Sequence, residues 1–291
     1  MFASIYSMQG GISGGTHDGT FQGIIESLSL QTNLKMALDA GDSSSYSSGT
    51  KWLDTSGNGF DAFLGIDAGT SGDTTFTGSA GGKSDGEYFL WAGTSFTKLM
   101  ATDTKEAWQE TLHKDGAIFS MVMWIYPTDN TDGGALLGTS NDNGNSARGF
   151  RWHLSTSGVN GPKAAMRHGA AIGMGAASTT PLTQDAWNFV GLTIDEATGS
   201  GGGFHYLNGS YNQVGGADTF DATYTSPSAS GMDGAMRILG QVTILSDPYT
   251  YDGYQPTTGT RCAMVGCWQG SVLSKANMDS IYAESRGRYG V

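Results

Sequence analysis

Pairs of acidic side chains are the first candidates for catalysis, because two carboxylates on one face of a strand can catalyse the hydrolysis of a glycosidic bond. A retaining pair needs carboxyl groups roughly 5–5.5 Å apart, a spacing that residues i and i+2 of one strand provide. No predicted strand carries two carboxylates at that spacing. Glu106 and Glu110 lie four residues apart in a predicted short helix or turn, and Asp195 and Glu196 fall in a predicted turn. We therefore expect a protein that is not an enzyme.

Oxygen-rich turns near the start of the chain could instead bind a metal ion. Asp39, Asp54 and Asn58 offer the hard oxygen ligands that calcium prefers. Asp54 and Asn58 would place two of these oxygens on one tight turn. The same side chains could equally hydrogen-bond to their own backbone, as Asp and Asn do in turns. Both interpretations remain open at the level of sequence, and no zinc pattern is present.

Aromatic side chains in polar surroundings could bind a sugar, because sugar sites combine an aromatic platform with amide and carboxylate groups. The candidates for such a glycan-binding surface are Trp152 and a tyrosine-rich loop that carries Tyr249, Tyr251 and Tyr254. Tyrosine-rich loops also form protein interfaces. Contact with another protein is therefore the alternative for this loop.

The histidines predict no nucleophilic chemistry. The five histidines are scattered along the chain, and no Gly-x-Ser-x-Gly motif accompanies them. His153 and His168 could face each other across a predicted hairpin. The neighbouring Arg151 and Arg167 favour a solvated, cationic sheet face as the explanation for this group.

The two cysteines predict no disulfide. Cys262 and Cys267 lie five residues apart on a predicted strand. Their side chains would be about 17 Å apart there and on opposite faces, which is beyond the reach of a disulfide. We expect two small buried side chains.

The composition of the whole chain excludes several classes of protein. Its 291 residues include 46 glycines, and only 14% are charged while 11% are aromatic, which argues against disorder. Abundant Gly, Ser and Thr indicate many tight turns between short strands. The net charge of −12 disfavours binding to nucleic acid or to an anionic membrane surface. No stretch reaches the length of a membrane span, and the first residues do not resemble a signal peptide.

Alternating apolar residues predict the elements that would position these groups. Residues 118–126 form the clearest predicted strand, and because both of its faces are mostly apolar we expect it to be central. A helix is predicted over residues 274–284, with Ser274 as its N-cap and Gly287 beyond its end. Residues 1–33 are expected to form an extended arm, since their glycine-rich start cannot form a regular element cheaply. Within that arm, residues 21–33 fit a short helix and a strand about equally. Further strands are predicted at residues 34–38, 62–65, 87–91, 134–139, 149–154, 164–168, 187–194, 204–207, 236–240 and 262–268.

The order of these segments resembles the laminin-G-like, concanavalin A-like jelly-roll family. The matching segments run from Leu38-Asp39-Ala40 through Trp52-Leu53-Asp54-Thr55-Ser56-Gly57-Asn58-Gly59 and residues 119–125, 187–195 and 206–209 to residues 267–274 and the last helix. The resemblance implies an all-β fold of two antiparallel sheets packed as a jelly-roll sandwich. One such domain would cover residues 34–291, with a short C-terminal helix and an N-terminal arm over residues 1–33.

The same resemblance suggests a function. The runs at residues 38–42 and 54–59 are similar to versions of this family found in bacteriophage virion proteins. This implies a non-enzymatic virion structural protein, a head-decoration or tail-associated subunit. It would contact other virion proteins, form a homo-oligomer and be assembled in the host cytoplasm. The alternative is a lectin-like module for host or surface glycans, because some such copies bind glycans. In some relatives a calcium ion lies in loops at the sandwich rim, so calcium is the candidate cofactor.

Overall fold

In the computed structural model the chain folds as two antiparallel β-sheets with a shared core. The structure describes residues 16–64, 74–91, 100–102, 106–114, 116–130, 134–140, 148–154, 161–168, 171–174, 178–213, 235–239 and 256–291. Strands within these ranges are β1 Leu34–Asp39, β2 Lys51–Trp52, β3 Ala62–Phe63, β4 Thr74–Thr77, β5 Tyr88–Trp91, β6 Met100–Thr102, β7 Ile118–Tyr126, β8 Ala135–Gly138, β9 Arg148–Leu154, β10 Pro162–His168, β11 Ala171–Met174, β12 Asn188–Asp195, β13 Gly203–Leu207, β14 Ser210–Gln213, β15 Arg237–Ile238 and β16 Arg261–Gln269. The predicted all-β antiparallel sandwich is confirmed.

The strand order shows which strands are central and which lie at an edge. The first sheet has the order β14-β13-β12-β7-β16-β5-β4, and β1 also pairs with β16. The second sheet has the order β11-β10-β9-β8-β15-β6-β3-β2. Strand β7 therefore lies inside the first sheet between β12 and β16, as its two apolar faces predict. Strands β4 and β2 lie at edges, one in each sheet.

The main core fills the space between the sheets. Strand alternation turns Phe119, Met121 and Met123 of β7 toward the second sheet, where they join a buried cluster with side chains such as Phe150 and Trp152. The rings of Phe119 and Phe150 lie 5.2 Å apart in an edge-to-face arrangement. A core of this size anchors the loops that connect the strands.

Two helices cover the opposite face of the first sheet. Helix α1 is Phe21–Ser27, helix α2 is Ala107–Glu110 and helix α3 is Lys275–Arg286. Helices α1 and α3 contact each other, and they bury a second apolar cluster against Val122 and Trp124. None of the helices in the described ranges is long and apolar enough to cross a membrane.

Helix α3 confirms the prediction for the end of the chain. The Ser274 side chain accepts a hydrogen bond from the Asn277 backbone N–H, and the Asn277 side chain reciprocates at the Ser274 backbone. Gly287 is the C-cap, followed by the short 3-10 turn Gly287–Tyr289. The predicted capping residues therefore define the ends of this helix.

The segment before β1 differs in part from the expected arm. Phe21, Ile24 and Ile25 of α1 are buried, and the Phe21 ring packs edge-on against Trp268. The Trp268 indole N–H also donates to the Leu30 carbonyl at 2.7 Å. Residues 20–33 therefore pack on the sandwich because their apolar side chains find a partner there. Residues 1–15 lie outside the described residues.

Candidate functional site

A cleft opens at the edge of the sandwich, where β4 of the first sheet lies beside the loop that precedes β2 of the second. Its volume is about 410 Å³. We call it the edge cleft, and its lining residues are Tyr46, Ser47, Ser48, Gly49, Leu64, Thr74, Thr75 and Phe76. The Thr74 backbone N–H donates to the Leu64 carbonyl, which ties β4 to the end of β3. The two sheets therefore build this cleft together.

Aromatic rings form the inner wall of the edge cleft. The Tyr46 ring lies 4.7 Å from Phe76 and 5.0 Å from Phe89. Phe76 is partly buried against the main core. Burial raises the pKa of the Tyr46 phenol above its usual value, and its hydroxyl donates to the Gly49 carbonyl at 3.2 Å. Packing and this hydrogen bond hold the rings in place.

Hydroxyl groups form the rim of the edge cleft. Ser47, Ser48 and Thr75 are exposed, whereas Thr74 is buried. A hydroxyl can both donate and accept a hydrogen bond, and none of the described residues that line the cleft is charged. The arrangement suits a neutral ligand that has one apolar face and several hydroxyl groups.

A second cleft, of about 460 Å³, lies between α1 and the turns that follow β1 and β2. We call it the acidic cleft, since Asp18, Glu26, Asp42 and Asp54 line it together with Thr20, Gln22, Gly23, Ser44 and Thr55. Its carboxylates hold the local backbone. Hydrogen bonds from Thr20 lower the pKa of Asp18, and Asp42 accepts from the Ser44 N–H at 2.8 Å.

The turn that carries Asp54 and Asn58 explains both residues by backbone hydrogen bonds. The Asp54 carboxylate accepts from the backbone N–H groups of Ala37, Ser56 and Phe60 at 2.8 to 3.0 Å. The Asn58 amide donates to the carbonyls of residues 34 and 35 at 2.9 and 3.1 Å. The structure thus brings Asp54 and Asn58 into one turn, as predicted. Asp54 has the predicted alternative role of binding the turn backbone, whereas Asn58 ties the turn to the backbone of β1.

Asp39 has a different role from the predicted calcium ligand. Its buried carboxylate forms an ion pair with the nearly buried Arg288 guanidinium, with N–O distances of 2.7 and 2.9 Å. It also accepts hydrogen bonds from the backbone N–H groups of Phe21 and Gly41. Among the described residues no group of three or more acidic, histidine or cysteine side chains could hold a metal ion. Calcium binding stays a prediction.

The prediction that Trp152 forms a sugar-binding platform is wrong. It is fully buried in the core between the sheets, because Phe150, Trp152 and Leu154 share the inner face of β9. Its indole cannot stack on a ligand from solvent. The other three predicted residues, Tyr249, Tyr251 and Tyr254, lie outside the described residues.

The strand register also corrects the expected histidine pair. His153 pairs with Lys163, and His168 pairs with Arg148, so the two histidines are not opposite each other. His153 and Arg151 are buried rather than solvated. The sequence predicted that Arg151 and His153 lie in a strand. It did not predict the register of that strand or the burial of these two side chains, because both depend on contacts with residues distant in sequence.

The expectation for the cysteines is confirmed. Cys262 and Cys267 are free and buried. Burial raises the pKa of both thiols far above the usual range, so they stay protonated and unreactive at neutral pH.

The residues of the edge cleft were not identified from the sequence. Tyr46 lies in a serine-rich loop, and Phe76 lies in a Gly/Ser/Thr-rich stretch for which no strand was predicted. A single aromatic residue within a polar run was the available signal. Such a residue indicates an aromatic ring that packs at the boundary between the core and the surface.

Comparison with solved structures supports the fold. Domain 4 of AbnA, a GH43 extracellular arabinanase from Geobacillus stearothermophilus, in complex with arabinotriose, matches with a TM-score of 0.52 and 15% identity over 86% of this chain and 98% of that one. The binding domain of Paraclostridial Mosquitocidal Protein 1 matches with a TM-score of 0.54 and 12% identity over 87% of this chain and 52% of that one. A Trypanosoma rangeli sialidase in complex with sialic acid matches with a TM-score of 0.53 and 12% identity over 88% of this chain and 34% of that one.

This chain therefore spans about a third of the sialidase and about half of the mosquitocidal protein chain. No family model and no curated protein matches the sequence. At these identities the likeness shows the β-sandwich fold alone.

Proposed function

We propose that this protein is a non-enzymatic glycan-binding module whose edge cleft binds a neutral sugar ring. The observation that carries the proposal is the combination of the partly buried Phe76 ring with the exposed hydroxyls of Ser47, Ser48 and Thr75 in one cleft. A sugar ring has an apolar C–H face and a rim of hydroxyl groups. It would lie against the aromatic wall and exchange hydrogen bonds with the rim.

Rigidity supports this assignment. The Phe76 ring is packed against Tyr46 and Phe89, so binding would cost little side-chain entropy there. The similarity in fold to a domain crystallised with arabinotriose agrees with a glycan-binding role.

The resemblance of residues 38–42 and 54–59 to bacteriophage virion proteins favours a second proposal, namely that the module is a head-decoration or tail-associated subunit of a phage particle. A virion subunit that contacts a host surface could also bind glycans, so the two proposals are compatible. Mass spectrometry of purified particles from a phage that encodes the chain would find it in stoichiometric amount. Its absence from the particles would contradict this role.

The glycan proposal predicts that Phe76→Ala weakens binding of a neutral oligosaccharide by about tenfold or more, the cost of losing one well-packed aromatic contact. Arabinotriose and a panel of other neutral trisaccharides serve as probes in isothermal titration calorimetry. Phe60→Ala is the matched control, because Phe60 is also partly buried against the main core but lies outside the cleft. A Ser47→Ala, Ser48→Ala, Thr75→Ala triple variant tests the rim without disturbing the packed rings.

Two results would contradict the proposal. One is the absence of binding to every neutral glycan tested at millimolar concentration. The other is an equal loss of affinity in the Phe60→Ala and Phe76→Ala variants. Release of reducing sugar from the same probes would contradict the non-enzymatic part alone.

A further inference from the structure

Arg261 occupies an unusual position on the outer face of the first sheet. It is the first residue of β16, and the register aligns it with Leu90 of β5 on one side and Tyr126 of β7 on the other. The next residue, Cys262, belongs to the main core. Because side chains alternate along a strand, Arg261 faces outward, away from the second sheet.

Two tyrosines hold the Arg261 side chain from both neighbouring strands. The guanidinium carbon lies 4.2 Å from the centroid of the Tyr126 ring and 4.7 Å from that of Tyr88. Trp187 supports both rings, at 5.7 Å from Tyr126 and 6.1 Å from Tyr88. Stacking on aromatic faces suits the planar guanidinium group and leaves its edge to make hydrogen bonds.

The hydrogen-bonding edge of Arg261 is not used by the described part of the protein. Its guanidinium forms no ion pair and no hydrogen bond there, and its buried Nε has no partner. Arg288 is the contrast, because its guanidinium is bonded to the Asp39 carboxylate. In a chain with 27 acidic and 15 basic residues, a stacked arginine that has no carboxylate partner among the described residues is available to bind an external anion.

The geometry selects a planar anion. The guanidinium fork presents parallel N–H donors that match the two oxygens of a carboxylate, and the flanking tyrosine rings offer apolar surface to whatever carries it. Thr75, at the rim of the edge cleft, lies in the same register row as Leu90 and Arg261. Two strand spacings, about 10 Å in all, separate the backbones of Thr75 and Arg261. Phe76 faces the core side of the same edge strand, so one oligosaccharide that passes over the edge of β4 could reach both places.

We propose that Arg261, stacked between Tyr88 and Tyr126, binds the carboxylate of an acidic sugar whose neutral neighbour occupies the edge cleft. This inference rests on the proposed glycan-binding function and names its substrate class, an oligosaccharide that contains uronic acid or a similar carboxylated sugar. Arg261 supplies charge and orientation, while the edge cleft supplies the aromatic contact.

A matched pair of ligands tests the carboxylate directly. An aldobiouronic acid, in which one glucuronic acid is linked to one neutral hexose, and its methyl ester have the same sugar skeleton, but only the first carries a carboxylate. By calorimetry we expect the acid to bind the wild-type protein about tenfold or more tightly than the ester, as a charge-assisted bidentate contact allows. Arg261→Lys, which keeps the charge but loses the fork, and Arg261→Gln should each remove most of this preference.

The controls separate this inference from the function on which it rests. Arg286→Gln is the matched variant, because Arg286 is exposed and lies over a single ring, that of Tyr282; it should leave the preference unchanged. Near-ultraviolet circular dichroism and the thermal midpoint check that each Arg261 variant is folded.

Each outcome is decisive for one of the two proposals. Equal affinity for acid and ester, or a preference that Arg261→Lys retains in full, overturns the role of Arg261 and leaves the edge cleft standing. Competition by sodium acetate as strong as that by the aldobiouronic acid overturns the sugar part, since the site would then recognise charge alone. If neither these ligands nor the neutral panel bind, the proposed function itself fails.

Discussion

At the level of single residues, Asp39 joins three parts of the chain. Its carboxylate receives the Arg288 guanidinium from the C-terminal turn, the Phe21 N–H at the start of α1 and the Gly41 N–H after β1. Asp39 is fully buried, and only 6% of the Arg288 side chain is exposed. A buried ion pair of this kind stabilises mainly as a unit, because either partner alone would be a buried charge without compensation.

The ion pair predicts a large and non-additive effect of substitution. Asp39→Asn should lower the free energy of unfolding by about 3–5 kcal/mol, and Arg288→Met by a similar amount. The double variant should cost less than the sum of the two, because the second change no longer leaves an unpaired group. Urea denaturation followed by tryptophan fluorescence measures all three.

A surface pair provides the comparison. Lys114 and Glu110 are 3.6 Å apart and partly exposed, so Lys114→Gln should change the free energy of unfolding by less than about 1 kcal/mol. An effect of Asp39→Asn no larger than that of Lys114→Gln would show that the buried pair is not a structural junction.

The sequence identifies polar turn residues better than it identifies their partners. For Asp54, the alternative of hydrogen bonds to the turn backbone follows from residue type and spacing alone, and the structure confirms it. The Asn58 amide instead donates to the backbone carbonyls of residues 34 and 35, partners that the turn sequence does not contain. The partner of Asp39 lies 249 residues away, and no local pattern contains that information. The contact of Arg261 with Tyr88 and Tyr126 could not be predicted from the sequence either, because it forms only when β5, β7 and β16 are in register.

At the level of elements, two glycines in central strands allow the helices to pack closely against the first sheet. A Cβ added at Gly191 of β12 would lie 2.9 Å from the sulfur of Met278 in α3. A Cβ added at Gly266 of β16 would lie 2.6 Å from the Phe21 ring of α1. Glycine usually weakens a strand, and here its lack of a side chain allows a helix to approach the sheet closely.

This packing predicts that Gly191→Ala destabilises the protein, although the same change often stabilises a strand. The added methyl group overpacks the contact with Met278, at a cost of about 1–3 kcal/mol. Gly287→Ala is the control, because its φ is −58° and an added Cβ meets no atom within 4 Å. Equal thermal midpoints for the two variants would contradict the role of Gly191 in the close packing of α3.

The elements that the sequence predicts well are those whose pattern is local and long. Strand β7 and helix α3 follow from alternation and from a capping residue. Helix α1 is only seven residues long, too short to be stable alone, and so its sequence fits a helix and a strand about equally. Its contacts with Trp268 and β16 decide the outcome, and they also convert residues 20–33 from an expected arm into part of the sandwich.

At the level of the whole molecule, the two ends of the described chain converge on the first sheet. Strand β1 pairs with β16 from Leu34 with Trp268 to Asp39 with Met264. Helices α1 and α3 lie together on the outer face, and the Asp39–Arg288 pair links the two terminal segments. The inner face of the same sheet carries half of the main core, so both cores share the strands β7 and β16.

Shared strands predict that both cores unfold together. Phe21→Ala, in the outer cluster, and Phe150→Ala, in the main core, should each cost about 3–5 kcal/mol and should shift one common urea transition. Far-ultraviolet circular dichroism reports the sheets, and tryptophan fluorescence reports both clusters, since Trp124 and Trp268 lie in one and Trp52 and Trp152 in the other. The two signals should coincide in the wild type and in both variants. Separate transitions, with Phe21→Ala shifting only the first, would contradict this prediction and would mean that the helical layer unfolds independently of the sandwich. The sandwich alone would then be sufficient to position the edge cleft and Arg261.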